Sequence, residues 1–168
     1  MQPPANQTHS HLLRSIRIWL SLFTLGLILS GVTAFPLQHE LTLLLSLFDN
    51  TTFAPGLVFW LQTVHEALAN TNARYPFLAY GTDWLAFAHL VLAVAFIGPL
   101  RDPIRNKWVI QFGLIACAAV PLLAFTAGPI RGIPFYWRLI DSSFGIFGAI
   151  PLLIALRRTN QLEQQSTL

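Results

Sequence analysis

Three ionisable side chains fall inside long apolar runs: His89 within residues 82–100, and Arg138 and Asp141 within residues 134–156. Hydrocarbon penalises such groups heavily, so each is expected to face a partner, a cavity or water. His89 lies seven residues into its run and Asp141 seven residues beyond Pro134. At 1.5 Å per residue both sit roughly 10 Å from the ends of their helices. Pro121 is about as far from the end of its own run, so three segments carry a polar or irregular feature in one layer. That coincidence predicts a pocket. His89 and Asp141 are its candidate catalytic residues, through hydrogen bonding or proton transfer. Arg138 would hold polar substituents of a ligand, with Trp84, Asp83, His65 and Glu66 as further ligand-binding candidates. His39, His65 and Glu66 would form a lid.

The same residues admit a plain packing role. Arg138 and Asp141 are one helical turn apart and can pair with each other, with the arginine reaching toward the interface. His89 can hydrogen-bond the carbonyl that Pro121 frees on Cys117. Asp83, in the first turn of its helix, would complement the macrodipole. Tyr136 and Trp137 suit an aromatic belt. Metal chemistry has thinner support, because His39, His65 and His89 fit no HExxH or other fixed spacing, and no metal ligand is assigned. His9 and His11 have ligand spacing in an extended chain but lie in a polar terminal stretch. Only His89 is truly intramembrane, which disfavours bridged haem; no motif names a cofactor.

These residues need helices in a bilayer to position them. Of the 168 residues 54% are hydrophobic and only 10% charged, far from the quarter or so of a soluble domain. The formal charge of +3 is not gathered into a basic face, which excludes nucleic acid as a partner. Cys117, the only cysteine, permits no intramolecular disulfide and no CxxC site; it reads as a small packing residue.

In chain order, residues 1–13 are polar and are expected to be a disordered cytosolic tail. The first span covers 15–35, too long for a cleavable signal peptide and without an A-x-A-like site after it, so it is expected to stay in the membrane. Gly26, Ser30 and Ala34 give it a small-residue face that should point into the bundle. Residues 37–81 are too interrupted for a further pair of spans. Asp49 to Thr52 and Pro55-Gly56 divide them into two helical candidates, 40–48 and 55–70. The second sets Leu57, Trp60, Leu61, Val64 and Leu68 on one stripe and Gln62, His65, Glu66 and Ala69 on the other, the pattern of an amphipathic interfacial helix. An aromatic loop, 72–81, leads to a turn and N-cap at Gly81-Thr82. Further spans follow at 82–100, 108–127 and 134–156, with a turn at 128–132 and a disordered cytosolic tail expected at 159–168. Pro134 suits the first position of the last helix. Asn50-Thr51-Thr52 fits a glycosylation sequon in a eukaryotic source.

The expected architecture is therefore an all-α integral membrane protein of four transmembrane helices in one domain, 14–158, with one or two short amphipathic helices on the outer face. Seven basic residues (14, 17, 101, 105, 107, 157, 158) would lie on the side of the termini and three (74, 131, 138) on the other. That bias places both termini in the cytosol, in a bacterial inner (plasma) membrane. Three functions suit such a protein. The first is binding, or acting on, an apolar or amphipathic small molecule, a lipid or quinone, in an outer-facing intramembrane pocket. The second is an accessory or scaffold subunit of a membrane complex, and the third a dimeric transporter or channel. Membrane lipids, a second copy or a larger complex are the expected partners; the loop 101–107 could also meet anionic headgroups.

Overall fold

The computed structural model describes residues 5–48 and 54–166, with side chains from 9 to 165 within them. Every regular element among the described residues is helical: α1 (Ala5–Ala34), α2 (Leu37–Leu47), α3 (Pro55–Arg74), a 3-10 turn (Pro76–Leu78), α4 (Ala79–Ala95), α5 (Ile97–Arg101), α6 (Lys107–Ile130) and α7 (Phe135–Ser166). Four helical stretches are long and apolar enough to cross a membrane: His9–Ala34, Pro76–Arg101, Lys107–Ile130 and Phe135–Gln165. They coincide with the four expected spans, each longer at one end or both. The break over 49–53 and the Asn50 sequon lie outside the described residues.

The chain divides into two compact units, one of Met1–Gly26 with Ala93–Leu168 and one of Leu27–Leu92. In the first unit α6 and α7 pack along their length, and glycines allow it. A Cβ on Gly145 would collide with the Cys117 carbonyl, and one on Gly148 would meet the Cys117 sulfur at 3.1 Å. Gly113 is closed over by Leu152 and Phe96, whose ring also stacks on Phe23 at a centroid distance of 4.8 Å. Small residues at such a contact let helix backbones approach, which is how helices associate where lipid is as apolar as leucine. Ile16, Leu20, Ile110, Leu152, Ala155 and Leu162 fill the rest of this core.

α6 ends in a Schellman motif: Ile133 donates to the Gly128 carbonyl (2.9 Å) and Gly132 to that of Pro129 (3.1 Å). Gly132 has φ +70°, the left-handed conformation the motif demands and glycine alone adopts freely. The expected turn at 128–132 is thus a helix cap, with α6 running on to Ile130. The break between α4 and α5 also has a local cause. Pro99 has no N–H for the Ala95 carbonyl, and the helix tightens there, Phe96 donating to Ala93 (3.2 Å).

Several expectations are corrected. The tails expected at 1–13 and 159–168 are helical wherever the structure describes them. Leu12 in the one and Thr159 and Leu162 in the other are buried in the first unit, and Glu163 pairs with Lys107 at 2.6 Å; burial and this ion pair continue the helices past the apolar runs. Gly81 and Thr82 are no helix start, because α4 already begins at Ala79 behind the Pro76 turn. Asp83 therefore falls outside the first turn. The face of Gly26 and Ser30 is exposed; the glycine of α1 that packs is Gly31, over the Ala86 carbonyl and Leu90.

Candidate functional site

The second unit is built on a helical hairpin. α2 and α3 run antiparallel, joined by two polar rungs: Asn72 Nδ2 donates to Gln38 Oε1 (2.8 Å), and His65 Nε2 lies 2.9 Å from Thr42 Oγ1. The Thr42 hydroxyl already donates its one proton to the Gln38 carbonyl (2.9 Å), so His65 must be the donor, through Nε2–H. Where the hairpin meets the end of α1 and the start of α4, a cleft of about 270 Å³ opens. Its polar wall comprises Gln38, His39, Thr71, Asn72, Thr82 and Asp83, and its apolar wall includes Phe35, Leu37, Leu68 and Leu78.

Threonine distinguishes this cleft from the rest of the chain. A helical threonine ordinarily returns its hydroxyl to a carbonyl one turn back. Thr24, Thr42, Thr63, Thr126 and Thr159 donate to the carbonyl four residues earlier, and Thr33 to the one three earlier. Among the described residues Thr71 and Thr82 make no such bond, and both line the cleft. The side chains of His39 and Asp83 likewise have no hydrogen-bond partner among the described residues. The cleft therefore offers a carboxylate, an imidazole and two hydroxyls, with the Gln38–Asn72 amide pair beside them. This set can accept and donate hydrogen bonds at once, next to an apolar wall.

Of the site residues expected from the sequence, Asp83 and His39 reach this cleft and the others do not line it. His65 is engaged in the hairpin rung, and Glu66 is exposed on α3. Trp84 is exposed too, in an edge-to-face ladder with Tyr80 (6.0 Å) and Phe87 (5.9 Å) on one face of α4. The stripe predicted around His89 does pack, with Ala86 and Ala93 buried. Its ring, however, turns back onto its own helix, Nδ1 lying 2.8 Å from the Leu85 carbonyl. A carbonyl only accepts, so Nδ1 carries a proton. The Cys117 carbonyl lies where a Cβ on Gly145 would fall.

Arg138 and Asp141 belong to the first unit. The expected local pair is absent, since Lys107–Glu163 is the only ion pair among the described residues. The Arg138 guanidinium lies over the rings of Phe135 (5.3 Å) and Phe125 (5.9 Å), and its stem fills the space above Gly128, where a Cβ would be 2.6 Å from Cδ. Aromatic faces attract a cation, and two of them draw Arg138 to the α6–α7 turn. Among the described residues no three His, Cys, Asp or Glu side chains gather as a metal would need.

Gln38, Thr71, Asn72 and Thr82 escaped the sequence reading. The signal was there in a form easily passed over: Thr71-Asn72 and Thr82-Asp83 are polar pairs flanking the Pro76 turn. Comparisons with known protein families, curated proteins and solved structures return no match for this chain.

Proposed function

We propose that the protein binds the polar end of an amphipathic molecule, a lipid or quinone, in the cleft between the α2–α3 hairpin and α4. The reading assumes both termini in the cytosol, in a bacterial inner membrane. α2 and α3 then lie as amphipathic helices at the outer interface, and the cleft opens at the level of the outer headgroups. The observation that carries it is the pair of cleft-lining threonine hydroxyls that, among the described residues, make no bond back to their own helices. Such groups lose stabilisation in an apolar setting unless a ligand or water meets them.

The chemistry narrows the ligand. At about 270 Å³ the cleft is smaller than the usual pocket for a whole small molecule, so it suits a ring or headgroup while the tail stays in lipid. Phe35 and Leu78, exposed at its rim, would meet that tail. Asp83 accepts hydrogen bonds and repels anions, favouring a hydroxyl-bearing end such as a glycerol or a quinol over a phosphate. Thr71 and Thr82 can donate to a carbonyl or accept from a hydroxyl, so both redox forms of a quinone have partners.

The test is native mass spectrometry with lipid and quinone analysis on protein purified in mild detergent, wild type beside Thr71→Val/Thr82→Val. Valine keeps the shape and removes two hydroxyls that no helix bond uses, so the fold should persist. A co-purifying amphiphile retained by wild type and reduced about tenfold or more in the double variant, one lost hydrogen bond each, is the expected result. Equal retention by both would sink the proposal. A ligand-free wild type with a stoichiometric protein partner would sink it in favour of an accessory subunit.

A further inference from the structure

A second site lies in the other unit, at the N-terminal end of α1. Ser10, Arg14, Arg17 and Ser21 follow one another at spacings of four, three and four and so share one helix face. With Leu13 and Ile18 they line an open groove of about 510 Å³. From the groove α1 continues as exposed apolar surface through Ile18, Leu22 and Leu25. Arg17 is held in place: its Nε–H donates to the Leu100 carbonyl at 3.2 Å, leaving the terminal nitrogens for another acceptor. Arg14 has no intramolecular partner among the described residues.

The surroundings reinforce the charge. The Arg17–Leu100 bond ties α1 to α5, and the Lys107–Glu163 pair ties the start of α6 to the end of α7. The stretches so joined carry Arg14, Arg17, Arg101, Arg105, Lys107, Arg157 and Arg158 against two acids, Asp102 and Glu163. Glu163 is engaged by Lys107, and Asp102 accepts the Arg105 backbone N–H at 3.0 Å.

We propose that this groove binds an anionic phospholipid. Its phosphate would lie between Arg14 and Arg17, the serines would accept or donate beside it, and an acyl chain would follow Ile18, Leu22 and Leu25 into the bilayer. Arginine suits this role because its planar fork meets a phosphate through two parallel hydrogen bonds. Charge alone would attract an anionic surface diffusely; an anchored arginine with an apolar track below it selects a lipid molecule. The site is independent of the cleft and of the ligand proposed there.

The experiment is competition between phosphatidylglycerol and phosphatidylcholine for the purified full chain, read by native mass spectrometry. Wild type is compared with Arg14→Gln, Arg14→Gln/Arg17→Gln and Arg157→Gln/Arg158→Gln. Wild type should prefer phosphatidylglycerol; Arg14→Gln should weaken the preference about fivefold and the Arg14/Arg17 pair about thirtyfold. The Arg157/Arg158 variant removes the same charge outside the groove and should keep the preference. No preference in wild type would overturn the proposal. So would equal loss in the Arg157/Arg158 variant, which would mean a diffuse basic surface. Arg14→Gln disturbs no bond among the described residues, so its unchanged preference would overturn the site even if the double variant failed to fold.

Discussion

The two units use polar groups differently. In the unit of Met1–Gly26 and Ala93–Leu168 most interior groups are closed: glycines seat α7 against α6, Thr159 returns its hydroxyl to Ala155, and Lys107 meets Glu163, with buried Arg138 Nε left without a hydrogen-bond partner among the described residues. In the unit of Leu27–Leu92 polar side chains join α2 to α3, and some beside the cleft are left without a partner. The difference shows how a polar residue in an apolar helix is to be judged. What matters is whether its hydrogen bonds close within its own helix or its nearest neighbour. His89, the most conspicuous polar residue in the chain, closes its bond on Leu85, while the unremarkable Thr82 closes none among the described residues.

The comparison breaks first at the helix contact. Gly145→Val places a side chain where the Cys117 carbonyl lies, and overpacking of this kind costs about 3 kcal/mol. A large drop in melting temperature in detergent, or failure to purify as a single species, is expected. An unchanged melting curve would mean that α6 and α7 are not closely packed.

Thr42→Val tests the hairpin instead. It removes the acceptor for His65 and the donor to Gln38, and should lower stability by about 1 kcal/mol. Ligand retention should persist, because Thr42 does not line the cleft. Loss of the ligand with no loss of stability would move Thr42 into the site and blur the distinction between rung and cleft.

Glu163→Gln breaks the Lys107 pair, whose side chains are 29% and 45% exposed. Solvent screens so open a pair, and the expected loss is about 0.5 kcal/mol, shrinking further in high salt. A drop several times larger would show that the end of α7 depends on this pair and not on the burial of Thr159 and Leu162.

His89→Phe should have the smallest effect of the four. The Leu85 carbonyl stays within reach of its ordinary helix bond, so a change of a few tenths of a kcal/mol is expected. Ligand retention should match wild type. If His89→Phe alone abolished retention, the functional centre would lie on α4 at His89, as the sequence first suggests.

Much of the architecture was legible in the chain because hydrophobic length is a property of a segment by itself. Runs of some twenty apolar residues bounded by charge can hardly be anything but spans, and Pro36, Asp102 and Gly132 punctuate them. The gap between the first two spans also read correctly as two shorter helices, α2 and α3, since neither polar interruptions nor length allowed more. Helix ends were less legible. The Pro76 turn started α4 earlier than Gly81 suggested, and residues 5–13 and 159–166 continued as helix. Those extensions rest on contacts between segments far apart in the chain, such as Lys107 with Glu163.

The sequence by itself determined that the chain is helical, how many apolar spans it has, and where polar groups interrupt them, because period, length and charge act locally. Only the tertiary structure decided which polar groups remain available. Arg138 has Asp141 one turn away yet lies over Phe125 and Phe135, which α6 and the start of α7 bring to it. Thr71 and Thr82 look like any other helical threonines until the hairpin and α4 enclose a cleft around them. A hydrogen bond is satisfied or left open by groups from several segments at once, so that outcome is settled by packing and not by the order of residues along the chain.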